Sequence, residues 1–514
     1  MILTPRLHKF LLLFLLAFLI TSCKVGPDYQ KPTVSIPKNY KEAKKKKWVK
    51  AKPADLQSRG NWWTVFHDKK LNQLELALNI SNQNITSAIA QYAQARALVD
   101  EARASFFPNL AASASLVYQN NNNGFGGGGS AVNNSSNINV NNSNSGNNNN
   151  GFIFGNGSSQ IGLNASWEPD IWGATRRDVE AATAGAESSA ANLGAVQLSE
   201  QASLAQYYFE LRGVDSDQVL LNKTVVADKK ILTLTKNQYH FGTASMMNVA
   251  QARGQLETAQ ANAIKNGVNR ALYEHAIAVL IGKPPAELTL KSRPFFGKPP
   301  TVAAELPSQL LERRPDIAQA ERNVAQANAN IGVAVSAYYP SVILTPSFTA
   351  QNNQATDFND WFSFPLLVWS VGTNLAETIF DGGLRHATVA AAKANYQSTV
   401  AIYRQTVLTA FQNVEDNLAA LRILKNQAVA QNAAARDAQL TLALTVNQFQ
   451  QGTVAYPNVY TAQVSAYAAE KNAVDVTTLR MTYTVALIKA LGGNWGVNAP
   501  SLKTPPTLVD KRNA

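Results

Sequence analysis

Residues 237–252 read NQYHFGTASMMNVAQA, and residues 447–462, at an offset of 210, read NQFQQGTVAYPNVYTA. Asn237-Gln238-Tyr239-x-x-Gly242-Thr243 thus recurs as Asn447-Gln448-Phe449-x-x-Gly452-Thr453, and Asn248-Val249-x-x-Ala252 as Asn458-Val459-x-x-Ala462. Gly282 recurs as Gly492 at the same spacing. Matches held at one spacing mark an internal duplication. In each copy the glycine stands between two helix-like stretches, and glycine accepts the positive φ of a turn at a hairpin's tip.

The flanks of both tips are long. Proline is absent from residues 170–283 and again from 366–456. Alanine, the strongest helix former, fills nearly a third of positions 174–205. Val407, Phe411, Val414, Leu418 and Leu421 step by 4, 3, 4 and 3, a heptad seam. A helix from Gly173 to near Tyr239 is expected, about 100 Å long at 1.5 Å per residue. Outside the seam these helices are mostly Gln, Asn, Ser, Thr and Ala, so they should pair into a thin wall rather than fill a thick core.

Upstream the spacing changes. Phe106-Phe107-Pro108 matches Tyr338-Tyr339-Pro340 at 232, while Ile171-Trp172 matches Ile379-Phe380 at 208. The first copy therefore carries an insertion between Pro108 and Ile171. It is the tract 119–150, where nearly half of the positions are Asn and most others are Gly or Ser, a low-complexity loop.

Short strand-like segments flank that loop, from Pro108 to Tyr118 and from Ser159 to Trp167, where Ile161, Leu163 and Ala165 alternate with Gly162, Asn164 and Ser166. The second copy repeats them as Pro340 to Ala350 and Leu366 to Leu375. Strands of roughly 9 to 11 residues can cross a bilayer when tilted. No residue between Arg103 and Glu168 is charged, which suits alternate side chains facing lipid, although a soluble hairpin would alternate too. Lipid-facing strands must close into a barrel, and the smallest have about eight strands. Four per chain cannot close alone, so a membrane reading requires an oligomer.

The N-terminus reads as an export signal: Arg6 and Lys9, an apolar run from Phe10 to Ile20, then small residues before Cys23. Ile20-Thr21-Ser22-Cys23 resembles a lipobox, which would account for the placement of the chain's one cysteine. Lys24 in the next position favours the outer membrane by the same resemblance. Residues 38–52 hold eight Lys against Glu42 and account for most of the formal charge of +12, so the high pI belongs to a solvated tether near membrane phosphates rather than to a nucleic-acid site. Beyond the signal no apolar run reaches the length of a spanning helix, which excludes a multi-helix transporter. Charged residues make up only 16% of the chain, and one cysteine excludes a disulfide scaffold. His8, His67, His240, His275 and His386 show no metal-ligand spacing, and neither a phosphate-binding loop nor a nucleophile elbow is present. Neither an enzyme nor a metal site is expected.

Further motifs run through the chain: Val25-Gly26-Pro27-Asp28-Tyr29 with Pro32; Trp62-Trp63-x-x-Phe66-x-Asp68-x-x-Leu71; Leu306-Pro307-Ser308-x-Leu310-Leu311-Glu312-Arg313-Arg314-Pro315-Asp316-Ile317. Phe380-Asp381-Gly382-Gly383, Tyr403-Arg404-Gln405-Thr406-Val407-Leu408-x-Ala410-Phe411 and Ala490-Leu491-Gly492-Gly493-x-Trp495 follow. In this order, on a duplicated chain with a lipobox, they resemble the TolC-type outer-membrane factors, specifically the NodT-type lipoproteins of resistance-nodulation-division efflux systems. The Trp62-Trp63 pair reads as packing, and Arg313-Arg314-Pro315-Asp316 as a salt-bridged helix start.

The resemblance implies a mainly α chain with a membrane β-barrel: four strands per chain, a homotrimer closing 12 strands, and a periplasmic α-helical barrel. It implies a lipid on Cys23 and no other cofactor, an outer-membrane location, and as partners a periplasmic adaptor (membrane fusion) protein, an inner-membrane pump and outer-membrane lipid. Expected segments are a signal at 1–22, a tether at 23–60, a first repeat at 61–290 carrying the Asn-rich loop 119–157, a second repeat at 300–495 and a tail at 496–514. Gly242, Thr243, Gly452 and Thr453 correspond to tips that meet the adaptor. Where the family commonly carries aperture aspartates, this chain has Asn458 and Thr461, and residues 438–469 hold no charge. The expected aperture is therefore closed by packing and neutral hydrogen bonds, with Tyr456 and Tyr460 as bulky groups. A periplasmic coiled-coil lipoprotein scaffold without a pore is the alternative reading.

Overall fold

A computed structural model describes residues 24–37, 40–42, 60–118, 157–294, 297, 299–300, 313–355 and 366–493. Cys23, the signal segment, most of the lysine-rich tether, the Asn-rich loop and the C-terminal tail lie outside them. The chain divides into two compact units, one of residues 1–26, 100–179 and 332–389, the other of 27–99, 180–331 and 390–514.

The helices are α1 (Lys69–Ser81), α2 (Gln83–Ala104), α3 (Ala174–His240), α4 (Met246–Leu280), α5 (Pro315–Ser336), α6 (Leu384–Gln450) and α7 (Tyr456–Ala490). The strands are β1 (Asn109–Tyr118), β2 (Gly157–Ser166), β3 (Ser341–Ala355) and β4 (Leu366–Ala376). The long helix read from the proline gap is α3, and its 67 residues are matched by 67 in α6. Likewise α4 and α7 have 35 residues each, and α2 and α5 have 22 each. The duplication is thus written in element length as well as in sequence.

In the first unit the strands form one antiparallel sheet in the order β1-β2-β3-β4. Ala112 pairs with Leu163, Leu163 with Phe348, and Phe348 with Trp369, a row of apolar side chains across all four strands. In the adjacent rank Ser113, Gly162 and Thr349 are small or polar, and only its β4 member, Val368, is apolar. Below the strands, the Val25-Gly26 motif is held by the chain's own duplicated halves. Val25 N–H donates to the Trp172 carbonyl at 3.2 Å, and Arg177 donates to the carbonyls of Val25 and Gly26. A Cβ on Gly26 would stand 2.5 Å from the Gly332 Cα, so this close backbone approach requires glycine.

The second unit has several small cores, as a thin helical wall requires. Trp62 and Trp63 are buried with Leu71, Leu78, Leu204, Tyr208 and Ile277, so the tryptophan pair packs rather than binds. The heptad residues Val407, Phe411 and Val414 are buried with Ile317, Val324 and Leu487. Arg314 and Asp316 pair at 2.6 Å at the start of α5, and Arg314 also donates to the Ala490 carbonyl at 2.9 Å. The segment after α4 is fixed by Asp215, which accepts from Arg212, Arg270, Ser292 and the Arg293 amide.

Candidate functional site

Two features of the chain can serve a function: the sheet of the first unit and the paired hairpin tips of the second. The sheet's apolar face is bare. Leu110 on β1 and Leu367, Trp369, Val371 and Leu375 on β4 are each about two-thirds to three-quarters exposed, and Ile161, Leu163 and Phe348 between them are about half exposed. An apolar patch of this extent in water marks a surface that meets lipid or protein. The other face carries Ser113, Asn164, Thr345, Ser347 and Ser370, which hydrogen-bond among themselves and to the strand backbone. One face mainly apolar and the other mainly polar is the pattern of strands with lipid on one side and water on the other. Among the described residues β1 and β4 are open edges.

The tips are built alike. Gly242 and Gly452 take φ of 73° and 74°. The Gly242 amide donates to Tyr239 O at 3.0 Å and the Thr243 amide to Gln238 O at 2.8 Å; Gly452 to Phe449 O and Thr453 to Gln448 O repeat this at 3.0 Å. This is a Schellman turn with glycine at the left-handed position. Thr243 and Thr453 each add a hydroxyl bond to the same carbonyl their amide uses, at 2.9 Å. Nothing lies within 4 Å of a Cβ built on either glycine, so conformation rather than space selects glycine here.

The next helix starts differently in the two copies. Ser245 accepts from the Asn248 amide to cap α4, whereas α7 has no side-chain cap and carries Pro457 in its first turn. Charge differs too: residues 229–256 hold Lys229, Lys230, Lys236, His240 and Arg253 without an acid, and 438–469 hold no charge.

Between the tips lies a buried seam of Ile231, Leu232, Val249, Ala252, Phe449, Tyr456 and Val459. Tyr456 is 2% exposed, its ring 6.1 Å from that of Phe449 in an edge-on contact. It therefore belongs to the packing between hairpins, while Asn458, Tyr460 and Thr461 are exposed. Asn458 and Thr461 line a groove of about 520 Å³ along α6 and α7 with Thr441, Thr445 and Gln448, all uncharged.

The seam also holds Asp228, 2% exposed, which sequence reading did not single out. Burial pushes its carboxyl up to about 6, and Gln463 beside it offsets part of that cost. Burial next to Asp228 also pushes the Tyr456 hydroxyl up to about 12. Residue 228 lies far from 456 and 463 in the chain, and only the fold brings them together. Among the described residues no three His, Cys, Asp or Glu are placed to hold a metal ion, and no helix is long and apolar enough to cross a membrane.

A duplicated chain that pairs very long helices and exposes an apolar, open-edged sheet has the make-up of an outer-membrane channel subunit. Residues 75–283 and 306–493 match the outer membrane efflux protein family, and the chain belongs to it. It is 27% identical over 492 residues to the cation efflux system protein CusC of Escherichia coli, covering 94% of this chain and 98% of that one. The pyoverdine export outer membrane protein OpmQ of Pseudomonas aeruginosa is 27% identical over 452 residues, 87% of this chain and 90% of that one. The solved open state of the Neisseria gonorrhoeae MtrE outer membrane channel superposes with a TM-score of 0.74 at 27% identity, covering 92% and 98% of the two chains. The protein is thus an outer-membrane efflux channel and not an enzyme.

Proposed function

We propose that three copies of this chain form the exit duct of a tripartite efflux system, taking substrate from an inner-membrane pump through a periplasmic adaptor to the exterior. The observation that carries this reading is the bare apolar sheet face between two open edges. A scaffold without a pore has no use for it; lipid on that face and further strands at the edges satisfy it. Three copies would supply 12 strands to one barrel and 12 long helices to a periplasmic conduit.

Cys23 would carry the lipid anchor, with no other cofactor. In support, the next residue, Lys24, lies against Gly173 at the foot of the sheet, where a Cβ on Gly173 would be 3.1 Å from the Lys24 Cα. The tip residues Gly242, Thr243, Gly452 and Thr453 are exposed and would meet the adaptor. Asn458, Tyr460 and Thr461 would face the aperture, with Tyr456 holding the seam behind them. CusC is named for cations and OpmQ for pyoverdine at equal identity to this chain, which supports a duct that leaves the choice of cargo to its pump.

Purified protein in a planar bilayer should give stepwise single-channel currents. Folded, oligomeric protein that never conducts would overturn the reading. Labelling cells with palmitate should mark the wild type and leave Cys23→Ser unlabelled; equal label on both would remove the anchor from the account.

A further inference from the structure

The duplication leaves one contact made once where the repeat calls for it twice. At the first return from strand to helix, Trp172 stacks on Tyr339, their ring centroids 5.0 Å apart and their planes 25° from parallel. Its Nε1 donates to the Pro340 carbonyl at 2.7 Å. The return of the first repeat is thus docked on the entry of the second, next to the pairing of β2 with β3. By the sequence match, Phe380 corresponds to Trp172, Phe107 to Tyr339 and Pro108 to Pro340. These counterparts do not meet within the chain. Phe380 is 87% exposed, its neighbour Ile379 is 96% exposed and Phe107 is 72% exposed. They stand beside the two open strands: Pro108 directly precedes β1, and Ile379-Phe380 lies just past the end of β4.

We propose that Phe380 of one copy packs on Phe107 of the next copy, as Trp172 packs on Tyr339 inside one chain, and that this aromatic pair locks neighbouring copies together where β4 meets β1. The occupant of each exposed ring is a second copy of this chain, because only another copy presents the matching half of the repeat. The two seams are unequal. The phenylalanine ring has no N–H, so the Pro108 carbonyl lacks the indole bond that Pro340 receives, and the seam between copies is the weaker one. The inference rests on the channel reading, since it requires copies side by side.

A chain carrying Phe107→Cys and Phe380→Cys, treated in outer membranes with a short bismaleimide, should run as covalent dimers and trimers after denaturation. Each single-cysteine variant, and the wild type as control for Cys23, should stay at monomer mass. Trp172→Cys with Tyr339→Cys, the counterpart within one chain, should react yet also stay at monomer mass. A second readout is the temperature at which the oligomer dissociates in detergent. Phe107→Ala and Phe380→Ala should each lower it, the double variant should fall no further than the worse single, and Phe380→Trp should raise it by restoring the indole donor. Because both rings are exposed in the single chain, these changes leave its own packing intact. An oligomer that yields no cross-link, or alanine effects that simply add, would overturn the contact. A wild-type particle of one chain would instead overturn the channel reading beneath it.

Discussion

Gly242 and Gly452 hold their tips by conformation alone, so alanine at either should cost about 1–2 kcal/mol, the price of a left-handed L-residue. A Cβ on either glycine would touch nothing, so the two changes share no side-chain partner and their losses should add, measurable by thermal melts of the single and double variants. Asp228 makes a sharper prediction. A carboxyl raised to about 6 in the folded seam binds its proton more tightly there than in the unfolded chain. The seam is therefore most stable at acid pH and loses that stability as pH rises from the ordinary carboxylate range through 6. Residues 438–469 of the facing hairpin offer no cation to reverse the sign. Amide exchange around Val459 should slow on going from pH 7 to 5 after correction for intrinsic rates, and Asp228→Asn should remove the dependence; an unchanged pH response in the variant would place the titrating group elsewhere. Glu75 is a related case, its carboxylate buried with neither oxygen partnered and pushed well above its usual range by burial. Burial therefore favours its protonated form in the fold, and Glu75→Gln should raise the melting temperature at pH 8 more than at pH 5. The tip glycines were legible because a left-handed turn has few residues to choose from. Asp228 and the burial of Tyr456 were not, since a buried acid and a buried tyrosine look like any others until two hairpins from opposite halves of the chain are laid together.

The helices were the most legible elements. Proline gaps bounded α3 and α6, alanine content supported them, and the constant offset between the copies set their tips at equal lengths. The strands were legible in position from alternation, but alternation alone does not separate a lipid-facing strand from a soluble hairpin. The sheet adds rows that no single strand reveals: Ala112, Leu163, Phe348 and Trp369 stand on one face of four different strands. Arginine at Val371, on the bare apolar face, should cost about 2–4 kcal/mol near the middle of the bilayer and cut the yield of assembled protein in the outer membrane. Arginine at Thr349, on the polar face, should assemble far better and alter conductance instead. Equal loss at both positions would mean the two faces do not see lipid and water.

At the scale of the molecule the account depends on a count of chains. The described residues bring four strands and two open edges, and in the proposed barrel those edges are satisfied only by further copies. The sequence carried the need for more than one copy as arithmetic, four strands against a minimum near eight; the family match supports the channel, and three copies are what the proposed duct requires. The direct test is the mass of the mature protein extracted from the outer membrane in mild detergent, with the detergent's share removed by light scattering. Three chains per particle are predicted; a stable, folded particle of one chain would contradict the closed barrel and the duct built upon it.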